Sequence, residues 1–385
     1  MSRSRLPVLR CWPLLWLLLV VAGCGEKIPI PVPIGLFGVN DYSEFANYSD
    51  PNEIRQVAVF QGRMFLLTDV SLSRRRLDFS DPIEVTGLDS ATALGIEKEA
   101  SLVFVWEDGN NTLSWYRALD LTQLGATVLP GVNAVTGLAM NNAGIGQVPG
   151  ALTFVYLADS LLNVVHRFSF DEFGGLVPYG ILCSSSGDGA RFVHLPQGLA
   201  TDLDNRFLVC EADTGRNWIM RFDSTPDLTD LALDPNDPDP LRGLAFPFFN
   251  SNCITPPTSD FVLGDAPECG QADWVGGPSA EPGFMDGPLD VAVDGSGRMF
   301  VADTQNHRVQ VFLAGGDLDS QFGTMSDMNN LSSIALYDFT TSLSTGDVFY
   351  AAYVYIVVPD ENVVRTFISG EYRDTFDIDL PPPRP

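Results

Sequence analysis

Four oxygen-bearing side chains, Glu97, Asn141, Asp202 and Asp294, each stand two residues past a small residue: Gly95, Ala139, Ala200 and Ala292. If those positions converge, their oxygens can gather a hard divalent cation, and Ca²⁺ takes about six to eight such ligands. The same residue types also open hairpin turns, as in "VDGSG" and "TDLDN", because their side chains accept bonds from the backbone two residues on. The turn reading is the stronger. Histidine is scarce: His166, His194 and His307 are the whole set, and zinc would need them to meet from separate segments. No GxSxG, HExxH or phosphate-loop motif is present, so no catalytic residue is assigned, and apart from calcium no cofactor is called for.

What positions these residues is a repeated element. Short aliphatic runs with a small residue at their centre begin at 56 (QVAVF), 93 (ALGIE), 137 (GLAMN), 198 (GLATD), 290 (DVAVD) and 333 (SIALY). Superposing them puts Ala58, Gly95, Ala139, Ala200, Ala292 and Ala335 in one column. A second apolar run follows each, with Asp69, Asp108, Asp159, Asp213, Asp303 and Asp360 in another column, and an apolar or aromatic run closes each copy. Aliphatic runs separated by Gly, Asp and Asn turns are antiparallel strands. A small residue on an innermost strand lets sheets approach a crowded axis, and sheets stacked radially bury the faces that one sheet alone would expose. The expected fold is therefore all-β, a six-bladed β-propeller over 51–375. The longest gap, about 224–285, reads as an insertion between blades four and five, because no small-residue strand followed by the Asp column occurs in it. Ring closure is expected from a strand near 35–42 or from 372–380. The Pro-rich end, 376–385, reads as a tail.

The stretch "GPLDVAVDGSGRMFVADTQNHRVQVF" (287–312) resembles an NHL repeat, through its Asp294-to-Gly297 turn and its Asp303, Asn306, His307 and Arg308. The resemblance implies that these four residues are structural and hold the hairpin and its neighbours in register. Residues 195–222 are a degenerate copy, and the other four match in pattern more than in identity. Some propellers of this general kind are calcium-dependent lactonases or zinc-bearing amidating lyases, which is the enzymatic reading of the four oxygen donors.

The first residues run from Arg3, Arg5 and Arg10 through an apolar stretch, 13–21, into small residues, the three regions of an export signal. Val21, Ala22, Gly23 and Cys24 resemble the lipobox of bacterial lipoproteins. That resemblance implies cleavage after residue 23, acylation of Cys24 with palmitate-like chains, and a membrane held by lipid rather than by a span. Gly25 favours the outer membrane, facing periplasm or cell surface. The segment 24–50, with "EKIPIPVPIG", reads as an extended tether. Cys183, Cys210, Cys253 and Cys269 then remain in an exported chain, where an even number favours disulfides. Cys253 with Cys269 and Cys183 with Cys210 are the expected pairs, with Cys210 as a buried thiol the alternative.

A formal net charge of −27 over 385 residues excludes nucleic acid as a partner and favours cations or basic partners. The reading is a monomeric, non-enzymatic, lipid-anchored envelope propeller that binds a protein, peptide or glycan. Its alternative is a metal-dependent enzyme of the lactonase or amidating-lyase type.

Overall fold

The computed structural model describes residues 42–141, 151–171, 175–184, 193, 195–203, 207–213, 217–222, 272–276, 278–342 and 348–369. All fall in one compact unit, Val39–Pro385. The proposed signal, lipobox, the tether as far as residue 41 and the tail, together with His194, Cys24, Cys253, Cys269 and the side chains of Asn141 and Cys183, lie outside that description, whereas Tyr42–Ser49 of the 24–50 segment form a strand.

The chain forms six four-stranded antiparallel sheets arranged as a six-bladed β-propeller. A first strand, β1 (Tyr42–Ser49), is set aside for the last blade. Blade one is β2 (Ile54–Phe60), β3 (Arg63–Thr68), β4 (Ser71–Arg76) and β5 (Ile83–Thr86). Blade two is β6 (Ala91–Glu97), β7 (Leu102–Glu107), β8 (Thr112–Arg117) and β9 (Gln123–Val128). Blade three is β10 (Val135–Asn141), β11 (Ala151–Asp159), β12 (Val164–Asp171) and β13 (Leu176–Ser184). Blade four is β14 (Pro196–Thr201), β15 (Phe207–Glu211), β16 (Trp218–Phe222) and β17 (Ala272–Gly276). Blade five is β18 (Pro288–Val293), β19 (Met299–Asp303), β20 (Arg308–Phe312) and β21 (Leu318–Phe322). Blade six joins β22 (Ser333–Ser342), β23 (Val348–Val358) and β24 (Val363–Ser369) to β1.

One sequence expectation is corrected here and one is narrowed. The insertion does not separate blades four and five. It lies inside blade four, between β16 and β17, and β17 pairs with β16 from Trp218↔Gly276 to Phe222↔Ala272. An outer strand carries neither the small-residue column nor the acid, so "ADWVG" offered no repeat signature. The ring is closed by β1, which starts where the "GLFGVNDY" stretch ends and pairs with β24 from Tyr42↔Ser369 to Ser49↔Val363.

The second strands explain why the sheets stack. LVFVWE, FLVCE and MFVAD are buried at every position, as a strand covered on both faces must be. Their alternate residues feed different seams: Val103 packs toward blade one and Phe104 toward blade three, while Phe300 packs toward blade six and Val301 toward blade four. Six apolar clusters result, one in each seam. Burying such side chains contributes about 1.5–3 kcal/mol each. The fourth strand of blade two, by contrast, alternates exposed and half-buried residues.

The six columned small residues all lie on the innermost strands, β2, β6, β10, β14, β18 and β22, which touch one another in a closed circuit. The approach is close enough that a Cβ on Gly137 would lie 2.2 Å from the Gln197 carbonyl oxygen of the next blade.

Candidate functional site

The inner strands enclose an axial cavity of about 460 Å³ lined by segments of all six. Glu97, Asp202 and Asp294 line it together, so the fold does bring three of the four candidate oxygen donors to one place. Their oxygens are engaged there in different ways. Asp294, buried, accepts Ser296 N at 2.9 Å, Ser296 Oγ at 2.7 Å, Arg298 N at 2.9 Å and Arg298 Nε at 2.8 Å. Glu97, also buried, accepts Glu99 N at 3.2 Å and Ala100 N, and burial raises its carboxyl above the ordinary range. Both close their own hairpin turns. Among the described residues no group of three His, Cys, Asp or Glu side chains is placed to hold a metal ion. A calcium centre does not fit these two carboxylates as they stand.

The opposite end of the inner strands carries a residue that the column reading passed over. Asp290, two positions before Ala292, accepts Ser333 Oγ at 2.8 Å and Ile334 N at 2.9 Å from blade six, and Val291 N at 2.9 Å. Ser333 Oγ in turn accepts Val57 N of blade one at 3.3 Å. At the same position of blade one, Gln56 accepts Leu94 N at 2.6 Å and donates to Thr136 O at 3.1 Å, spanning blades two and three. Gly198 fills that place in blade four, where a Cβ would lie 2.4 Å from Asp290 Oδ1. A polar belt thus stitches the blades around the axis. Burial raises the Asp290 carboxyl to about 6, so this lining group holds or gives up a proton near neutrality. The signal for it was the equivalent column, Gln56, Ala93, Gly137, Gly198, Asp290 and Ser333, in which it is the sole acid.

Away from the axis, a second set of acids is structural. Glu107, Asp159, Glu211 and Asp303 each end the second strand of a blade and bond the side chain seven residues on: Ser114, His166, Trp218 and Gln310. Three of them also accept a backbone N–H just before their blade's first strand: Asp89 at 3.0 Å, Asn133 at 2.8 Å and Asp286 at 2.7 Å. The column written from sequence is therefore corrected in blades one, two, four and six. Thr68, Glu107, Glu211 and Val358 occupy the strand-ending place, and Asp69, Asp108, Asp213 and Asp360 follow it by one or two residues.

In blade five Asp303 also accepts Arg308 Nε at 2.7 Å and Asn306 Nδ2 at 3.0 Å. Burial raises its carboxyl, and these donors pull against the rise. His307 closes the turn in left-handed conformation, φ 54°, the place held by Asn111, Asn163, Asn217 and Asn362 in other blades. His166 lies 3.3 Å from Asp159, buried in blade three. Burial opposes ionisation of Asp159, but His166 and the N–H groups of Leu162 and Asn133 outweigh it and hold the carboxyl low. Neither described histidine lines the cavity. Cys210 is a free, buried thiol, and burial holds it well above the usual range; the side chain of Cys183, its expected partner, lies outside the described residues.

Residues 285–312 match the NHL repeat. No curated protein matches the chain by sequence. Among solved structures, a chain of a nidogen/laminin complex is similar at 14% identity over 73% of this chain and 84% of that one, TM-score 0.46. Virginiamycin B lyase from Staphylococcus aureus is similar at 10% identity over 85% and 99%, TM-score 0.46. A protein of unknown function from Bacteroides thetaiotaomicron VPI-5482 is similar at 11% identity over 86% and 72%, TM-score 0.49. These likenesses are of general shape.

Proposed function

We propose that the chain is a binding propeller of the bacterial cell envelope, held to the membrane by lipid on Cys24 and presenting one rim to a protein, peptide or glycan, rather than an enzyme. The observation that carries the reading is that Glu97 and Asp294, carboxylates of the axial cavity, are occupied in building their own hairpins. An acidic surface of net charge −27 favours a partner with exposed Lys or Arg. The rival reading, a metal-dependent enzyme of the lactonase or amidating-lyase type, draws on Glu97, Asp202 and Asp294 sharing one cavity. It requires two of them to leave their turns.

A metal titration separates the readings. The binding propeller shows an unfolding midpoint indifferent to Ca²⁺ and Zn²⁺, whereas a rise that disappears in Asp202→Ala establishes the enzyme reading instead. The anchor is tested separately: labelled palmitate enters the wild-type chain, which sediments with membranes, and both properties vanish in Cys24→Ser. A Cys24→Ser chain that still sediments with membranes refutes the lipid anchor.

A further inference from the structure

Blade one concentrates positive charge in a chain that otherwise has little. Of 22 basic residues set against 49 acidic ones, three stand in a row as Arg74, Arg75 and Arg76, with Arg63 on the neighbouring strand. The register Arg63↔Arg76 and Phe65↔Arg74 puts Arg63, Arg74 and Arg76 on one face of the blade. That face is the one whose Phe65 packs against blade two. Arg75 leaves from the opposite face, where it lies 4.6 Å over the Tyr48 ring and 3.9 Å from Asp50.

Among the described residues, the three guanidinium groups on the blade-two side are short of acceptors. Arg74, 6% exposed, donates Nη1 to the Leu119 carbonyl, but its Nε has no acceptor. Arg63 Nη1 and Arg76 Nε, both buried atoms, also donate no hydrogen bond. Two carboxylates are near. Asp81 lies 3.4 Å from Arg76 Nε in a pair half open to water. Asp120 is exposed and accepts Arg117 Nη1 at 3.1 Å and Thr122 N at 3.0 Å. Burial, followed by the charge of Arg63, holds the Arg74 guanidinium below the ordinary arginine range. Packing like charges together with unsatisfied donors is costly unless something supplies acceptors and negative charge. An oxyanion supplies both, because each planar fork can grip two of its oxygens.

We propose that Arg63, Arg74 and Arg76 form a binding site for a tetrahedral oxyanion, inorganic phosphate or the phosphate of a small ester, at the seam between blades one and two. The site is separate from the axial cavity, and its test is independent of whether the propeller is a binding module.

The experiment is thermal unfolding of the full-length protein in detergent against rising inorganic phosphate, against a hexose phosphate, and against chloride at equal ionic strength. The expected result is a midpoint that climbs with the logarithm of phosphate concentration while chloride leaves it flat. Stronger stabilisation by the hexose phosphate identifies an ester as the ligand, and equal stabilisation identifies the free ion. Loss of one charge-assisted contact in Arg74→Gln weakens apparent affinity about tenfold. Because Arg74 is buried, the deciding variant is Arg63→Gln with Arg76→Gln, both at half-buried positions. That double variant folds in chloride with a midpoint at or above wild type, since a repulsion is gone, and no longer responds to phosphate. The proposal is overturned if phosphate stabilises no more than chloride, or if the double variant keeps the whole phosphate response.

Discussion

Blades five and six are neighbours with the same strand order, yet they secure the turn after the second strand by different means. In blade five Asp303 is fully buried and gathers Asp286 N, Asn306, Arg308 and Gln310. In blade six the same place belongs to Val358, buried in the apolar seam with blade five, while Asp360 sits exposed and, among the described residues, accepts from the side chains of Asn329 and Asn330. The turns themselves are alike: each is a single 3-10 turn closed by a left-handed residue, His307 at φ 54° and Asn362 at φ 52°. Backbone geometry therefore sets the shape of the turn, and a polar latch and an apolar plug are interchangeable ways of anchoring it. Blade six has support that blade five lacks. Its outer strand comes from the other end of the sequence, with Arg365 Nη1 at 3.0 Å from Glu44 Oε1 and Arg365 Nη2 at 2.8 Å from Glu361. Tyr42 of that strand stacks on Phe322 of blade five, with ring centroids 4.2 Å apart.

The contrast breaks most readily at the latch. Asp303→Ala leaves Arg308 buried without its carboxylate and is expected to destabilise by about 3–5 kcal/mol in urea unfolding, the cost typical of halving a buried pair. A loss below about 1 kcal/mol would show that the latch is as dispensable in blade five as in blade six. Next is Tyr42→Ala, expected to cost about 3 kcal/mol through the lost aromatic packing and the loosened closure strand. An unchanged midpoint would mean that the ring does not depend on β1.

Asp290, the stitch between the two blades, has an effect of opposite sign. Its carboxyl is raised to about 6 in the folded protein from an ordinary 3.8, so the folded state keeps a proton that the unfolded chain releases. Stability from this group falls as pH rises from about 4 to about 6 and is level above that. Asp290→Asn keeps an acceptor for Ser333 Oγ and Ile334 N, exchanges the oxygen that accepts Val291 N for an amide NH2, and carries no charge, so it flattens that fall with pH. Parallel pH profiles for the two proteins would refute the assignment. The smallest effect is Asp360→Ala, expected within about 0.5 kcal/mol of wild type in the same urea unfolding assay. A loss comparable to that of Asp303→Ala would erase the distinction between the blades.

The propeller was legible because its signal is local and repeated. A small residue centred in an aliphatic run and a second apolar run recur six times, an apolar or aromatic run closes every copy but the first, where the third strand is Ser71–Arg76 (SLSRRR), and each run became a strand. Column positions were less secure, since the turns that end the second strands differ by one or two residues. In the Asp column, Asp108 therefore stands one residue past Glu107, and Asp213 two past Glu211. The position of the insertion was invisible for a related reason: an outer strand such as β17 is the last of its sheet, paired on one side only, and carries neither the small residue nor the acid of the repeat.

By itself the sequence determined the all-β architecture, the number of blades and the inner location of Ala58, Gly95, Ala139, Ala200, Ala292 and Ala335, because alternation and side-chain volume are properties of each short segment. Only the tertiary structure decided which carboxylates are free to act. Whether Glu97 and Asp294 meet a ligand or their own turns, whether Asp290 keeps its proton, and whether Arg63, Arg74 and Arg76 sit close enough for Arg74 to feel its neighbours' charge, depends on distances between strands and on how much water reaches them.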